Sequence, residues 1–344
     1  MGREASFGLI RFREPGPEDD PALTALVGQP LPGELSLSLA REPSLLESCL
    51  RHGPPRRVLM AEDEAGPLAV CTYFCRPYWV RGEPKEIWTI GDFRATKRAA
   101  GKSVTGLGWS AIRERLEGKP ALLSLVDDNP VARRLFTKGR KGWPILHRAA
   151  SLVTYLLPVS AVPSSAPTLG LFQPDEAQIC RMLRPSHLSP ILTPNDIGVV
   201  TPGRENFLGY HDGVEMDACG ALWDPSAYRQ IKVAGYGGFY ARMKSFEDRL
   251  GRGLLPQVGS QVRTCFAAFL RGSRVGKEAV FRRLLERARE GGAQFLILGA
   301  DPNDSPPFPA FWPRFRMRSS LYELQWNGGS DLGFAKSSYE VAWL

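Results

Sequence analysis

The sequence is poor in the residues that build metal centres and disulfide frameworks. Its 344 residues hold six scattered cysteines, at 49, 71, 75, 180, 219 and 265. The four histidines, at 52, 147, 187 and 211, do not pair with them at zinc-ligand spacings, so no structural metal is expected. Cys71 and Cys75 are the one close pair; four residues apart in a strand-like run, they point to one sheet face, the setting of buried free thiols. No uninterrupted apolar run approaches the roughly 18 residues of a membrane span. Met1-Gly2-Arg3-Glu4 lacks the apolar core of a signal peptide, and the expectation is a cytoplasmic protein without a membrane segment. Acidic excess is missing too: the formal charge is +8, which favours anionic partners. Nucleic acid is not the expected one, because no zinc-finger spacing or single-strand-binding aromatic pattern accompanies the charge.

What is present is a globular composition, 43% hydrophobic and 23% charged, in a chain long enough for two domains. Residues 7–13 alternate as a first strand, and Pro17-Glu18-Asp19-Asp20 starts a helix carrying Leu23, Leu26 and Val27. Leu35, Leu37 and Leu39 alternate with Ser36 and Ser38 as an extra extended segment. A helix begun by Glu42-Pro43-Ser44 is ended by Gly53-Pro54-Pro55. Strands at 57–62 and 68–74 flank an acidic turn, and a turn at 81–84 leads into a strand at 86–93. A basic loop, 94–103, precedes a helix with Val104, Leu107, Ile112 and Leu116 near one face. A buried-looking strand at 121–126, a short helix opened by Asn129 and closing strands at 145–148 and 151–157 complete the first half.

Residues 158–167, rich in Pro and Ser and low in charge, read as a semi-extended linker. The second half repeats the order of elements. A helix near 174–183 precedes strands at 206–210 and 214–223 around a His211-Asp212-Gly213 hairpin turn. A strand at 261–270, an amphipathic helix at 277–290 and a strand at 294–298 come next, with 319–326 and 339–344 as closing pieces.

The stretch from Glu86 to Leu116 organises the chain. Small residues after an arginine, between a strand end and a helix start, let backbone N–H groups close around a phosphate while the helix dipole adds positive charge. Gly101-Lys102-Ser103 looks like the end of a Walker A loop, yet Thr96 stands where that loop needs its first glycine. Arg98-Ala99-Ala100-Gly101-Lys102-Ser103 instead resembles the pyrophosphate loop of the GCN5-related N-acetyltransferases (GNAT): Gln or Arg, two residues, Gly, one residue, then Gly or Ala. Ser103 replaces the last small residue. Asp128 to Gly139, with Asn129 opening a helix, resembles a later motif of that family.

The resemblance implies an α+β fold of two tandem GNAT-like domains, each a mixed, mostly antiparallel sheet flanked by helices. They would span 1–158 and 169–344, joined by a linker at 159–168, with the second copy divergent. It implies direct transfer of an acetyl group from acetyl-CoA to an unidentified amine, on a small molecule or a peptide. Phe93, Arg94 and Ala95 would supply main-chain contacts. Arg98, Ala99, Ala100, Gly101, Lys102, Ser103, Val104 and Thr105 would surround the pyrophosphate, and Asn129 would lie near the pantetheine or its sulfur. A match through Asp92-Phe93-Arg94-Ala95, two residues away, puts Ala100 in the Arg place and Ser103 and Thr105 in the small positions. In Arg271-Gly272-Ser273-Arg274-Val275-Gly276-Lys277 neither Arg lies three residues before a Gly, so the cofactor loop is expected in the first half.

Glu86 and Asp92 are the candidate general bases: six residues apart on one strand they share a face, and burial would raise their pKa. An ion pair or a strand-end cap is the other role open to each. Family members often have Tyr seven residues after the Asn, and here that residue is Phe136, leaving Tyr73, Tyr78, a second-domain group or solvent as the acid. The rival readings are a non-catalytic acyl-CoA-binding or scaffolding protein, and aminoacyl or peptidyl transfer from a charged tRNA. Trp223-Asp224-Pro225, Arg229 to Lys232, and Arg314, Arg316 and Arg318 are either acceptor-pocket residues or ordinary turn and surface chemistry.

Overall fold

The computed structural model describes residues 5–7, 10–31, 33–51, 56–137, 139–161, 169–183, 188–193, 196–198, 206–213, 215–250, 255–326 and 332. The first half contains β1 (Ala5–Phe7), β2 (Ile10–Arg13), α1 (Asp20–Val27), β3 (Leu35–Ala40) and α2 (Leu45–Arg51). Then come β4 (Arg57–Asp63), β5 (Gly66–Val80), β6 (Glu83–Ala95), α3 (Val104–Arg115), β7 (Ala121–Val126), α4 (Pro130–Thr137) and β8 (Ile145–Pro158). The second half contains β9 (Leu171–Phe172), α5 (Glu176–Met182), β10 (Ser189–Pro190), β11 (Phe207–His211), β12 (Met216–Trp223), β13 (Gln230–Tyr236) and α6 (Gly238–Leu250). It ends with β14 (Gln261–Val262), β15 (Thr264–Gly272), α7 (Arg274–Glu290), β16 (Phe295–Ala300) and β17 (Phe315–Gln325).

Fourteen strands form one mixed, mostly antiparallel sheet, ordered β1-β2-β4-β5-β6-β7-β17-β8-β16-β15-β12-β11-β9, with β10 on β5. Its two parallel pairs are β6 with β7 and β15 with β16. Helices cover both faces, so the strands alternate between two apolar surfaces rather than between core and water. Val58, Met60 and Val70 pack with α1 and α2, while Leu59, Cys71 and Tyr73 turn to the other face, against Trp109 and Ile112 of α3. Cys71 and Cys75 share that α3 face, Cys71 buried and Cys75 half-buried. In the second half α7 lays Val280, Phe281 and Leu284 over Leu208, Ala218 and Ala267.

The closing strands trade places. The expected pair at 145–148 and 151–157 is one continuous strand, β8, and it does not lie beside β7. It pairs with β16 of the second half, and β17 fills the place beside β7. The two exchanged strands pair with each other from Phe315↔Leu156 to Gln325↔Ile145. Alternation within a strand states which faces are apolar but not which edge it will join, so this choice was not visible in the sequence. The expected closing piece at 339–344 and linker residues 162–168 lie outside the described residues. A second, small sheet, β14-β13-β3, ties the extra segment of the first half to the second half. Among the described residues no helix is long and apolar enough to cross a membrane.

Candidate functional site

The site is built where β6 leaves β7. Their parallel ladder holds Trp88↔Ala121, Thr89↔Leu122 and Ile90↔Leu123. Beyond it β6 stays with β5 as far as Ala95 and β7 stays with β17 as far as Val126, so the two edges part. Parted edges expose unladdered N–H and C=O groups to whatever enters the gap. A bulge marks the point: register slips between Val70 and Thr72, and Asp92 takes φ +50°. The second half repeats the device. β15 and β16 pair only through Thr264–Phe266, register slips between Cys219 and Ala221, and Phe269 takes φ +56°.

After β6 the chain makes a 3-10 turn at Lys97–Ala99 and enters α3 through Gly101, at φ +78°, and Ser103, at φ +55°. The left-handed backbone explains Gly101, since a Cβ there would meet nothing within 4 Å. The first N–H groups of α3, at Val104, Thr105 and Gly106, have no intrahelical acceptor and add to the positive end of the helix dipole, and the Ser103 side chain does not cap them. Gly106 packs closely under Trp143: a Cβ would sit 3.0 Å from its indole nitrogen. Ala99 packs against the α3-side core. Arg98 and Lys102 reach back to Asp63 in the β4–β5 turn, at 2.8 and 2.7 Å, and Arg98 also donates to the Ala65 and Gly66 carbonyls. The hydrogen bond from Lys102 is the main cause that holds the Asp63 carboxyl below its ordinary pKa.

An aromatic cluster lines the α3 side of the gap. Phe93 lies 5.6 Å from Trp109 and 5.2 Å from Phe136, Trp109 lies 5.7 Å from Phe136, and Trp326 joins at 6.2 Å from Trp109. The buried indole nitrogens of Trp109 and Trp326 have no hydrogen-bond partner. Phe136, at 6% exposure, is an apolar ring among apolar rings, which accounts for the missing phenol at that position. Asn129 caps α4, its Oδ1 accepting from the Ala132 N–H at 3.0 Å.

The two candidate bases do not share a face, because the bulge inverts the alternation between them. Glu86 lies toward the start of β6, 60% exposed, and pairs with Lys119 at 2.6 Å. Six residues on, roughly 20 Å along the strand, Asp92 accepts from the Thr72 hydroxyl at 3.0 Å on the α1–α2 side, while its neighbour Phe93 packs on the α3 side. Burial would raise the Asp92 carboxyl, but Arg41, Arg56, Arg229 and Arg94 together hold it far below the carboxylate range. It is an ionised hub rather than a basic carboxylate.

Arg41 and Arg56 were not among the residues expected at a site. Their signal is tertiary: β3 pairs with β13 so that Ala40 faces Gln230, which sets Arg41 against Arg229 across the small sheet. Gln230 locks this register, accepting from the Glu42 N–H and donating to the Glu42 carbonyl, both at 3.0 Å. Of the other pocket candidates, Trp223 donates to the Tyr228 hydroxyl, Asp224 caps the Ser226 N–H, and Lys232 pairs with Glu42. Arg314 donates to the Ala310 and Trp312 carbonyls, and Arg316 and Arg318 are exposed. Tyr73 donates to Glu14 at 3.4 Å, and Tyr78 lies 3.4 Å from the Thr89 hydroxyl.

The second half has no loop at the equivalent place. Gly272 leads straight to Ser273, whose Oγ accepts from the Gly276 N–H at 3.1 Å and bonds the Asp217 carboxylate. The start of α7 is thus occupied by the chain's own hydroxyl and carboxylate.

No protein-family model matches the sequence, and no curated protein matches it. Similarity appears in solved structures. Saccharomyces cerevisiae N-myristoyltransferase with bound myristoyl-CoA matches with a TM-score of 0.59 and 7% identity, over 93% of this chain and 83% of that one. The same enzyme with myristoyl-CoA and inhibitors gives 0.63 and 8%, over 93% and 81%. At such identity the likeness is one of architecture, and the chain has the mixed α+β, GNAT-like fold of N-myristoyltransferase.

Proposed function

We propose that the chain is an acyl-CoA-dependent N-acyltransferase that uses acetyl-CoA, built of two tandem GNAT-like halves. The first half, 1–158, takes the donor, and the divergent second half, 169–344, shapes the acceptor pocket. The observation that carries this reading is the parting of β6 from β7 beside a glycine-bearing basic loop at the start of α3. A gap between parallel strands offers main-chain partners to an amide-bearing arm, and the loop offers N–H groups to a pyrophosphate. In the second half the same gap adjoins a helix start already filled by Ser273 and Asp217.

In this reading the amine attacks the thioester carbonyl, the C–S bond breaks, and coenzyme A leaves as the thiol. The chain contributes by alignment and by N–H groups near Phe93, Arg94 and Ala95 that face the developing oxyanion. Residues 98–105 take the pyrophosphate, with Asn129 beside the pantetheine. Asp92, kept ionised, orders the arginines around it, and solvent carries the protons.

A non-catalytic acyl-CoA-binding protein is the second reading, favoured by the apolar surroundings of Phe136. Calorimetric titration of acetyl-CoA and myristoyl-CoA into the wild type and Gly101→Glu tests the donor site. The new carboxylate should weaken binding at least tenfold, and equal binding by both proteins would move the site elsewhere. Release of coenzyme A with a panel of amines would then remove the non-catalytic reading.

A further inference from the structure

Asp92 is ringed by guanidinium groups drawn from four separate stretches of chain. Arg41, after β3, and Arg56, before β4, pair with it at 3.1 and 3.6 Å, their side chains 3% and 4% exposed. Arg94 and Arg229 are near enough to act on its charge. Arg56 and Arg229 are also supported by ring faces, Phe74 at 4.7 Å and Phe266 at 5.3 Å.

Arg41 and Arg94 each keep one buried donor without an acceptor. Arg41 gives Nη2 to Asp92, while its Nε is buried without an acceptor. Arg94 gives Nη1 to the Phe93 carbonyl at 2.8 Å, and its Nε is likewise buried without an acceptor. A buried donor left unmade is destabilising, more so when it is charged. Two such donors, on side chains whose planar forks suit carboxylates, mark a place that an oxyanion would complete.

Their position says whose oxyanion it is. Asp92 and Arg94 flank Phe93 at the bulge, where the proposed function puts the thioester carbonyl. The donor's phosphates belong at residues 98–105, at the far end of its pantetheine arm, so an anion held at the bulge belongs to the acceptor.

Resting on the acyltransferase reading, we infer that the acceptor is an amino-acid-like amine. Arg41 and Arg94 hold its carboxylate, and Asp92 lies on the side of its ammonium. The amine nitrogen bonds to the acyl carbon, the C–S bond breaks, coenzyme A leaves as thiol, and the remaining ammonium proton passes to solvent. Neutral amines of the same shape leave the two arginine donors unpaired and are poor acceptors.

The test compares free amino acids with their carboxamides in a coenzyme A release assay, for the wild type, Arg94→Gln and Arg94→Lys. Far-UV circular dichroism and thermal scans check that each variant folds. The expected result is a kcat/KM at least tenfold higher for the acids in the wild type, lost in Arg94→Gln and partly kept in Arg94→Lys. Equal use of acids and amides by the wild type, or a preference untouched in Arg94→Gln, overturns the inference. A binding arm separates it from the transfer reading: N-acetylglycine and N-acetylglycinamide are titrated into the protein saturated with coenzyme A. If nothing turns over but the acid still binds at least tenfold tighter, and only with Arg94 present, the carboxylate site stands and transfer alone fails. If neither probe distinguishes Arg94→Gln from the wild type, the carboxylate site falls.

Discussion

Arg94 and Arg271 make the same contact in the two halves: Nη1 of each donates to the carbonyl of the residue before it, at 2.8 Å to Phe93 and 2.9 Å to Leu270. Each stands two residues beyond a left-handed residue, Asp92 or Phe269, on a strand that has just left its parallel neighbour. The halves differ in the connection from strand to helix. Eight residues, Thr96 to Ser103, separate β6 from α3, whereas Ser273 alone separates β15 from α7. Both halves share the bulge, and the longer connection is what sets the first half apart.

Asp92→Asn removes the carboxylate with which Arg41 and Arg56 pair. Breaking a buried pair from one side is destabilising by roughly 3–5 kcal/mol, because the partners keep their charge. The pH dependence has a definite sign. Since the folded carboxyl is held below the ordinary 3.8, its contribution is complete above that value and fades as pH falls beneath it. Denaturant midpoints should therefore differ most near neutrality and converge below about pH 4. A constant difference down to pH 3 would show that shape, not charge, accounts for the loss.

Asp63→Asn releases Lys102 from the β4–β5 turn, while Arg98 keeps the Ala65 and Gly66 carbonyls and loses its ion pair. Acetyl-CoA affinity should rise, roughly threefold for one freed exposed cation. It should also depend more steeply on salt. Calorimetry at two ionic strengths checks both. Weaker binding would mean that Asp63 positions the cations rather than competing for them.

Phe136→Tyr puts a hydroxyl on the ring packed against Phe93 and Trp109. An unmade buried hydroxyl should lower stability by about 1–3 kcal/mol with no rise in kcat. A higher kcat would show instead that the phenol reaches the leaving sulfur.

Two glycines separate conformation from space. Gly101→Ala meets no atom but must hold a left-handed backbone, a loss of about 1–2 kcal/mol. Gly276→Ala puts its Cβ 2.6 Å from that of Ala218, between α7 and β12, where overpacking is destabilising by about 1–3 kcal/mol. Chemical denaturation should show both as lower midpoints at unchanged m-values. Only Gly101→Ala should also weaken acetyl-CoA binding.

Much of the scaffold was legible one segment at a time. The run from β4 through β7 obeys its local signals closely: alternation for the strands, the acidic Asp63–Gly66 turn, and Gly101 before an amphipathic α3. Asn129 reads as a cap and is one. In the second half the Asp212-Gly213 hairpin and α7 stand where turn chemistry and amphipathicity put them. What failed was anything counted across an irregularity. Two-residue periodicity placed Glu86 with Asp92, and a bulge between β5 and β6 turned Asp92 to the opposite face.

The sequence by itself determined most elements of the first half, their order and its strand–loop–helix frame, because periodicity, capping and turn preferences act over a few neighbouring residues; β13 and α6 of the second half were not read from it. Only the tertiary structure decided that β8 and β17 would exchange partners, and that Arg41, Arg56, Arg94 and Arg229 would meet around Asp92. Those outcomes depend on which strand edges join and on charges brought together from stretches up to 188 residues apart along the chain, as Gln230 and Glu42 are. No local pattern carries that information.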